Sequence, residues 1–509
     1  MKRLSVSTRR EFLALSGTAA FAAVASQYPN WARAAPAKGD LAELTTVQAA
    51  LAIRNGDVKA EDYAKALLQR CEQGAALNAF ISIDPEQLLE KARAADLKRQ
   101  AGEPLEALHG VPLAIKDLLC TRALPTTGGT NALRNFRPKE DAPVLTRLFE
   151  QGALLLGKNN THELGLGWTN NNEAFGPARN PYDPSRVPGG SSGGTAVAIA
   201  SRMAPAGMGT DAGGSIRVPA GLCGIVGFRP TWGRYPRGGL VTTQPSFGTS
   251  GPMARSVADL VLLDAVIMGE PSSLPPADLT SVRLGVPRGY FYKDIDPAMA
   301  DVVDGALRRL KDAGITLIEA DMPELSELMP ATYFAIAQTE ARAAFTQFLQ
   351  DNGTGVTFDE VKEKASPRIK ASIENLFLET SKAYPSKEQY EKAVNVNRPA
   401  LKSLIERYFR DHNVQALVFP PLMMPAPLIG QETEIDIGGK KIPYFVAFGR
   451  NALVGSCASL PSVVVPAGLT KNGLPIGIEF DGLNGQDRKL LALALGVERV
   501  LGQLPAPSV

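Results

Sequence analysis

Two glycine-rich loops that carry serines, and a lysine that closes a strand-like run, are the residues of this chain best suited to chemistry. One loop reads Pro188-Gly189-Gly190-Ser191-Ser192-Gly193-Gly194. The other reads Gly209-Thr210-Asp211-Ala212-Gly213-Gly214-Ser215-Ile216-Arg217. Glycine lets backbone approach a ligand closely, and successive N–H groups in such a loop can converge into an anion-holding nest. Acyl transfer needs both features: a hydroxyl attacks a carbonyl, and main-chain donors receive the developing oxyanion. The hydroxyl also needs a base. With 3 histidines in the whole chain (His109, His162 and His412), an imidazole base is hard to find, and lysine is the remaining candidate. Lys116 follows the run Leu108–Ile115, in which Val111, Leu113 and Ile115 share one face, so it can sit at a strand end facing a site. A lysine acts as a base only when neutral, and desolvation lowers its pKa towards that state.

On the residues alone, other readings compete. A glycine-rich loop commonly serves as a turn, and an exposed strand-end lysine is commonly just solvated. A phosphate-binding loop would end in Gly-Lys-Ser/Thr, and neither loop does. Gly189-x-Ser191-x-Gly193 formally matches the nucleophile elbow of α/β-hydrolases, but that turn must follow a buried strand. Asn180 to Pro188 is polar and contains Pro181, Pro184 and Pro188, which a central strand does not accommodate. The histidine required downstream is present only as His412, in the charged stretch Arg410-Asp411-His412.

Taken together, Gly110-Val111-Pro112-Leu113-Ala114-Ile115-Lys116-Asp117 and the two serine loops resemble the amidase signature family. The spacing agrees, with 75 residues from Lys116 to Ser191 and 24 from Ser191 to Ser215. The likeness runs over roughly residues 41–500. It includes Asn180-Pro181, Pro219-Ala220, Cys223-Gly224 and Gly473-Leu474-Pro475, and is sharpest across 105–240. The resemblance implies that Ser215 is the nucleophile, Ser191 a bridging hydroxyl and Lys116 the terminal base. It also implies a cis peptide entering Ser191, with Gly190 minimising the clash, and an oxyanion hole from the N–H groups of Ala212, Gly213, Gly214 and Ser215. Asp211 and Arg217 are expected to brace that loop, a solvent-facing ion pair being the alternative. Gly165 is placed beside the acyl-binding site; small Gly165 and Gly167 suggest room there, and Trp168 is either a pocket wall or a core residue. Met423-Met424 and a helical insertion are further candidates for shaping the acyl pocket. Glu479 departs from a frequent pattern, standing where many relatives carry Gln.

The elements that must position these residues alternate. From about Leu41 to Gln100 the apolar spacing is helical. Helix-like and strand-like units then take turns to about Met268, with Val144–Gln151 and Thr195–Ser201 as helices and Ala153–Gly157 as strand. Such alternation predicts an α/β fold: one large domain, 35–509, with a mixed central sheet covered by helices on both faces. Pro271 to Asp278 reads as a surface loop, 414–419, 461–466 and 475–480 as strands, and a final helix starts near Arg488. A mainly helical insertion is expected at about 290–410.

Composition excludes several classes. Hydrophobic residues at 44% and charged residues at 21% describe a globular chain with a sizeable core, and a formal charge of +2 offers no basic footprint for nucleic acid. No metal-ligand cluster and no cofactor motif is visible. Cys71, Cys120, Cys223 and Cys457 are dispersed, and their pairing stays open. The chain opens with Ser7-Thr8-Arg9-Arg10-Glu11-Phe12-Leu13, an apolar run Ala14 to Ala25, and Ala32-Arg33-Ala34. That is the layout of a twin-arginine secretory signal over residues 1–34, with the translocase as a partner during export and a periplasmic or otherwise exported product. No membrane association is expected after signal removal, and a homodimer is compatible with the sequence. The activity expected is hydrolysis of a small-molecule or peptide amide to acid plus ammonia or amine. The alternatives are a glutamine-hydrolysing amidotransferase subunit, which the export signal disfavours, and a silent binding protein on the same scaffold.

Overall fold

The computed structural model describes residues 39–508. The expected export segment, residues 1–34, lies outside the described residues. The strands in chain order are β1 (Phe80–Ser82), β2 (Pro112–Lys116), β3 (Leu154–Asn159), β4 (Ala206–Asp211), β5 (Val226–Arg229) and β6 (Thr249–Ala254). Then come β7 (Arg283–Gly285), β8 (Thr316–Ile318) and β9 (Ala416–Phe419), the hairpin β10 (Glu434–Ile437) and β11 (Lys440–Pro443), and finally β12 (Ser462–Leu469) and β13 (Pro475–Asp481). All but the hairpin join one 11-stranded sheet in the order β1-β3-β2-β4-β6-β5-β12-β13-β9-β7-β8. The sheet is mixed. β3, β2 and β4 run parallel, as do β9, β7 and β8, while β6, β5, β12 and β13 pair antiparallel between them. A single α/β domain built on a mixed sheet, as the alternation predicts, is what the chain forms.

Why the central strands are central is visible in their sequences. β2, β4, β5 and β6 are buried at every position, so they read as short apolar or small-residue runs without alternation. The expected strand Leu108–Ile115 begins only at Pro112. Before it, Leu108 and Gly110 donate their N–H groups to the carbonyls of Gln151 and Gly152, which turns the chain into the sheet. β1 falls inside the stretch read as helical; at three residues it is too short to interrupt that periodicity. Helices Gly193–Ala200 and Arg217–Cys223 pack on each other and on the sheet. Val257–Met268, Pro297–Asp312 and Asp487–Leu501 form a second packed group against it.

A third layer matters for the site. Leu325–Asp351, Phe358–Lys364 and Pro367–Leu376 bury Phe345, Phe348, Phe358, Ile369 and Ile373 against Leu118, Leu164 and Val241, which follow the carboxyl ends of β2 and β3 or belong to the loop before β6. The start of the Pro367–Leu376 helix is tied down: Ser366 N donates to Glu163 Oε2 at 3.2 Å, and Arg368 pairs with Glu432. These helices therefore roof the ends of the central strands, where an α/β sheet leaves its crevice. All four cysteines are free thiols. No helix among the described residues is long and apolar enough to cross a membrane.

Candidate active site

Two neighbouring parallel strands deliver the polar groups. Lys116 is the last residue of β2, and Thr210 and Asp211 end β4 beside it. The serine loop after Pro188 enters the helix Gly193–Ala200, and the turn after Asp211 carries Ser215 into the helix Arg217–Cys223. Ser192 N donates to Ser215 O at 3.2 Å, which locks the two loops together. The Gly190–Ser191 peptide is cis. A Cβ on Gly190 would lie 2.9 Å from Asn170 N and 3.0 Å from Trp168 C, so only glycine fits at that crossing.

Lys116 is wholly buried, and its Nζ lies 2.7 Å from Ser191 Oγ, 2.9 Å from Ser192 Oγ and 2.8 Å from Thr210 Oγ1. Burial lowers its pKa well below the ordinary lysine value, and the charge of Asp211 only partly opposes this. Lys158 offers a contrast within the same sheet. Also buried, it has Asp117 Oδ1 at 3.1 Å as a counter-charge, whereas the side-chain partners of Lys116 among the described residues are hydroxyls. An ammonium without a carboxylate is the costlier of the two to bury, so Lys116 is the amine poised to be neutral.

Asp211 organises the second loop. Its carboxylate accepts from Gly214 N (2.9 Å), Ile216 N (3.1 Å), Arg217 Nε and Nη2 (each 3.0 Å) and Arg229 Nη1 (3.0 Å). Burial alone would raise this carboxyl; the Arg217 and Arg229 guanidiniums more than offset that and hold it well below the usual carboxylate range. The pair is fully buried, which removes the solvent-facing alternative. One expectation is corrected. The Gly214 N–H is spent on Asp211, so it braces the turn, while no hydrogen bond among the described residues occupies the N–H of Ala212, Gly213 or Ser215.

Behind this turn, Arg217 Nη1 donates to Glu479 Oε1 at 2.6 Å and Nη2 to Ser456 Oγ at 2.7 Å. Glu479 and Asp481 lie two apart on β13, both fully buried. The two carboxyls lie side by side, and the Ser462 hydroxyl faces Asp481. Burial raises both carboxyls, against the pull of Arg217, and their proximity raises Glu479 further. Two guanidiniums here face three carboxyls. A proton shared between Glu479 and Asp481 would neutralise the group.

Ser191, Ser215 and the free turn open on a cavity of about 460 Å³. Trp168, Phe334, Tyr444, Phe445 and Phe377 supply its aromatic wall, and Asp211, already satisfied, is the one charged residue lining it among the described residues. Ser215 Oγ makes no hydrogen bond among the described residues and is 7% exposed, facing this space. Gly165 lines it too, with the position of its absent Cβ 3.7 Å from Ser191 Oγ. Trp168 is a wall residue. Its Nε1 donates to Gly213 O at 2.8 Å, and its ring meets Tyr444 edge-on. Gly167 also lines the cavity but does not leave room for a ligand: a Cβ there would lie 2.3 Å from the His162 ring. That ring is buried and pushed down to about 3 by burial, so it is neutral. Met423 and Met424 are packed in the core away from this cavity, Met424 facing a groove with Asp296 and Lys471 instead.

Sequence reasoning missed several partners. Ser192 and Thr210 were inside the quoted loops, and only a buried Lys116 reveals them as its ligands. Arg229, Tyr333, Tyr444 and Phe445 reach the site from distant segments that carry no local signal.

A serine hydroxyl in a donor-rich turn, a second serine bonded to a buried amine and a mixed α/β sheet fit a class: hydrolases that cleave acyl bonds without histidine. The model of the family named Amidase matches residues 62–491 of the chain. An indoleacetamide hydrolase of Agrobacterium vitis is 40% identical over 458 residues, covering 90% of this chain and 97% of the relative. A mandelamide hydrolase of Pseudomonas putida is 36% identical over 486 residues, covering 92% and 93%. Among solved structures, a crystal structure of an amidase superposes with a TM-score of 0.80 at 31% identity, covering 90% of this chain and all of that one. The chain belongs to the amidase family. It is an amidase, an enzyme that hydrolyses amide C–N bonds.

Proposed function

We propose that Ser215 attacks the amide carbonyl, that Ser191 relays its proton and that Lys116 is the terminal base, with a small primary amide bearing an aromatic acyl group as substrate. The observation that carries this reading is the buried Lys116 amine held by three hydroxyls, one of them Ser191, beside a cavity that Ser215 faces. Ser192 Oγ donates its proton to Thr210 O at 3.2 Å, so it accepts from Lys116. Neutral Lys116 then spends its two N–H bonds on Ser192 and Thr210, and its lone pair takes the Ser191 hydroxyl proton. As Ser215 Oγ bonds to the carbonyl carbon, its proton passes to Ser191 and the Ser191 proton to Lys116. The carbonyl oxygen becomes the oxyanion facing the free N–H groups of Ala212, Gly213 and Ser215. The relay runs back to protonate the leaving nitrogen, the C–N bond breaks, and ammonia or amine departs. Water repeats the sequence on the acyl-enzyme and releases the acid. The Ser191–Ser215 link is the one relay contact left open, and such contacts tighten when substrate is bound.

The aromatic wall, with Asp211 as its one charged side chain among the described residues and that one already paired, supports an apolar acyl group over an amino acid such as glutamine, whose charged ends would stay unpaired. The two hydrolases compared above are named for amides with aromatic acyl groups, which points the same way. Export by the twin-arginine route is supported by the amino-terminal layout, with a mature chain beginning near Ala35. The decisive experiment is Ser215→Ala. Turnover of phenylacetamide and labelling by a fluorophosphonate probe should both vanish while the circular dichroism spectrum is retained. Hydrolysis near the wild-type rate would refute Ser215 as nucleophile.

A further inference from the structure

Two polar side chains on the cavity wall make no hydrogen bond to protein among the described residues. Gln338, in the helix Leu325–Asp351, is 8% exposed, and Thr243, in the loop before β6, is 7% exposed. Both line the cavity, and neither side chain has a hydrogen bond among the described residues. Two neighbouring hydroxyls are committed. The Tyr333 hydroxyl donates to Gln244 Oε1 at 2.9 Å, and Ser372 Oγ to Arg368 O at 3.0 Å.

Gln338 and Thr243 belong to one wall. The loop is tied to the helix at Tyr333, through Gln244, and at Glu340, whose carboxylate accepts from Ser246 Oγ at 2.6 Å. Those anchors lie on either side of Gln338 and are about 10 Å apart along the helix axis, at 1.5 Å per residue. Thr243 adjoins the first anchor, Gln244, and Gln338 follows Tyr333 by five residues on the helix, so both belong to the cavity wall that these bonds hold together. Phe334, one turn before Gln338, meets Phe445 edge-on, so this polar strip adjoins the aromatic wall. An amide and a hydroxyl without protein partners on an otherwise largely apolar wall are available to hydrogen-bond a ligand that displaces solvent from the cavity.

Resting on the aryl-amide reading above, we infer that Gln338 and Thr243 read a hydrogen-bonding N–H or O–H on the aromatic acyl group, remote from the scissile amide. The preferred substrates are then amides whose ring system carries a polar hydrogen, and the polar strip orients the ring so that its amide carbonyl meets Ser215. Sites built to bond such a group reject its carbon isostere far more strongly than an apolar wall rejects a changed methylene, because the analogue leaves the protein groups unpaired.

The test is the ratio of kcat/KM for indole-3-acetamide to that for 1-naphthylacetamide, two bicyclic amides that differ in the ring N–H. A ratio is insensitive to a general loss of activity. The purified protein should show a ratio of about tenfold or more, and Gln338→Leu should reduce it towards one. Gln338→Met, closer in shape, and Thr243→Val should move it in the same direction if either gives well-folded protein. A wild-type ratio near one with brisk turnover of both rings overturns the inference and leaves the aryl-amide reading standing. So does a high ratio that survives Gln338→Leu, Gln338→Met and Thr243→Val. No turnover of either ring, together with hydrolysis of aliphatic amides, overturns both.

Discussion

Replacing Glu479 by Gln probes the proton held behind the nucleophile turn. Glutamine keeps an oxygen for Arg217 Nη1, now 2.6 Å from Glu479 Oε1, and turns an N–H towards the Asp481 carboxylate. In the unfolded chain both carboxyls ionise above about pH 5. In the folded protein the pair, raised by burial and facing Asp211, Arg217 and Arg229 with Ser456 and Ser462, is expected to keep one proton. A carboxyl raised on folding contributes stability that is fully present below its unfolded pKa and is lost as pH rises through its folded value. Each bound proton changes stability by about 1.4 kcal/mol per pH unit in that window. Glu479→Gln removes this dependence. The variant should therefore gain on the wild type by about 1.4 kcal/mol per pH unit from about pH 5 upward, levelling off where the native pair ionises. Had Glu479 instead served as a permanently ionised partner of Arg217, its loss would cost about 3–5 kcal/mol at every pH, the usual penalty for stranding a buried charge. Urea denaturation midpoints of both proteins at half-unit steps from pH 5 to 8.5 separate the two cases. A difference that does not change with pH, whatever its sign, refutes the shared proton.

Other expectations concern the site directly. Lys116→Ala should depress amide turnover far more than hydrolysis of a p-nitrophenyl ester, whose leaving group needs no proton; equal losses would count against Lys116 as the proton donor. Because burial lowers the pKa of Lys116, kcat/KM for amides should rise with pH as the amine deprotonates, along an acidic limb well below the ordinary lysine range. A limb unaltered in Lys116→Ala assigns it to another group. Gly167→Ala pushes a methyl into the His162 ring, 2.3 Å away, and should destabilise by about 1–3 kcal/mol while raising KM through displaced Trp168; an unchanged denaturation midpoint and KM would contradict the packing.

How much of this was readable from residue order follows from how local each feature is. β2, the two glycine loops and the helix Gly193–Ala200 are continuous segments, so their periods and glycine content show before folding. The acyl cavity is different. Its wall draws on residues near 118, 166, 240, 333, 376 and 444, and no pattern links segments hundreds of residues apart. The strands β5 to β8 were hard to separate because a strand buried on both faces, or only three residues long, leaves no alternation to count. Gly167 misled for a related reason. A glycine shows that a side chain is excluded, and only packing shows whether a ligand or another residue, here His162, takes the space.

The sequence by itself determined which hydroxyls and which amine were available, because their loops are short and their identities are unambiguous. Tertiary structure alone decided that the side chains hydrogen-bonded to Lys116 among the described residues are hydroxyls, that the Gly214 N–H is spent on Asp211, and that Gln338 and Thr243 line the cavity without a protein partner among those residues. Charge state and hydrogen-bond commitment depend on desolvation and on neighbours brought from far along the chain, and neither exists until the chain has folded.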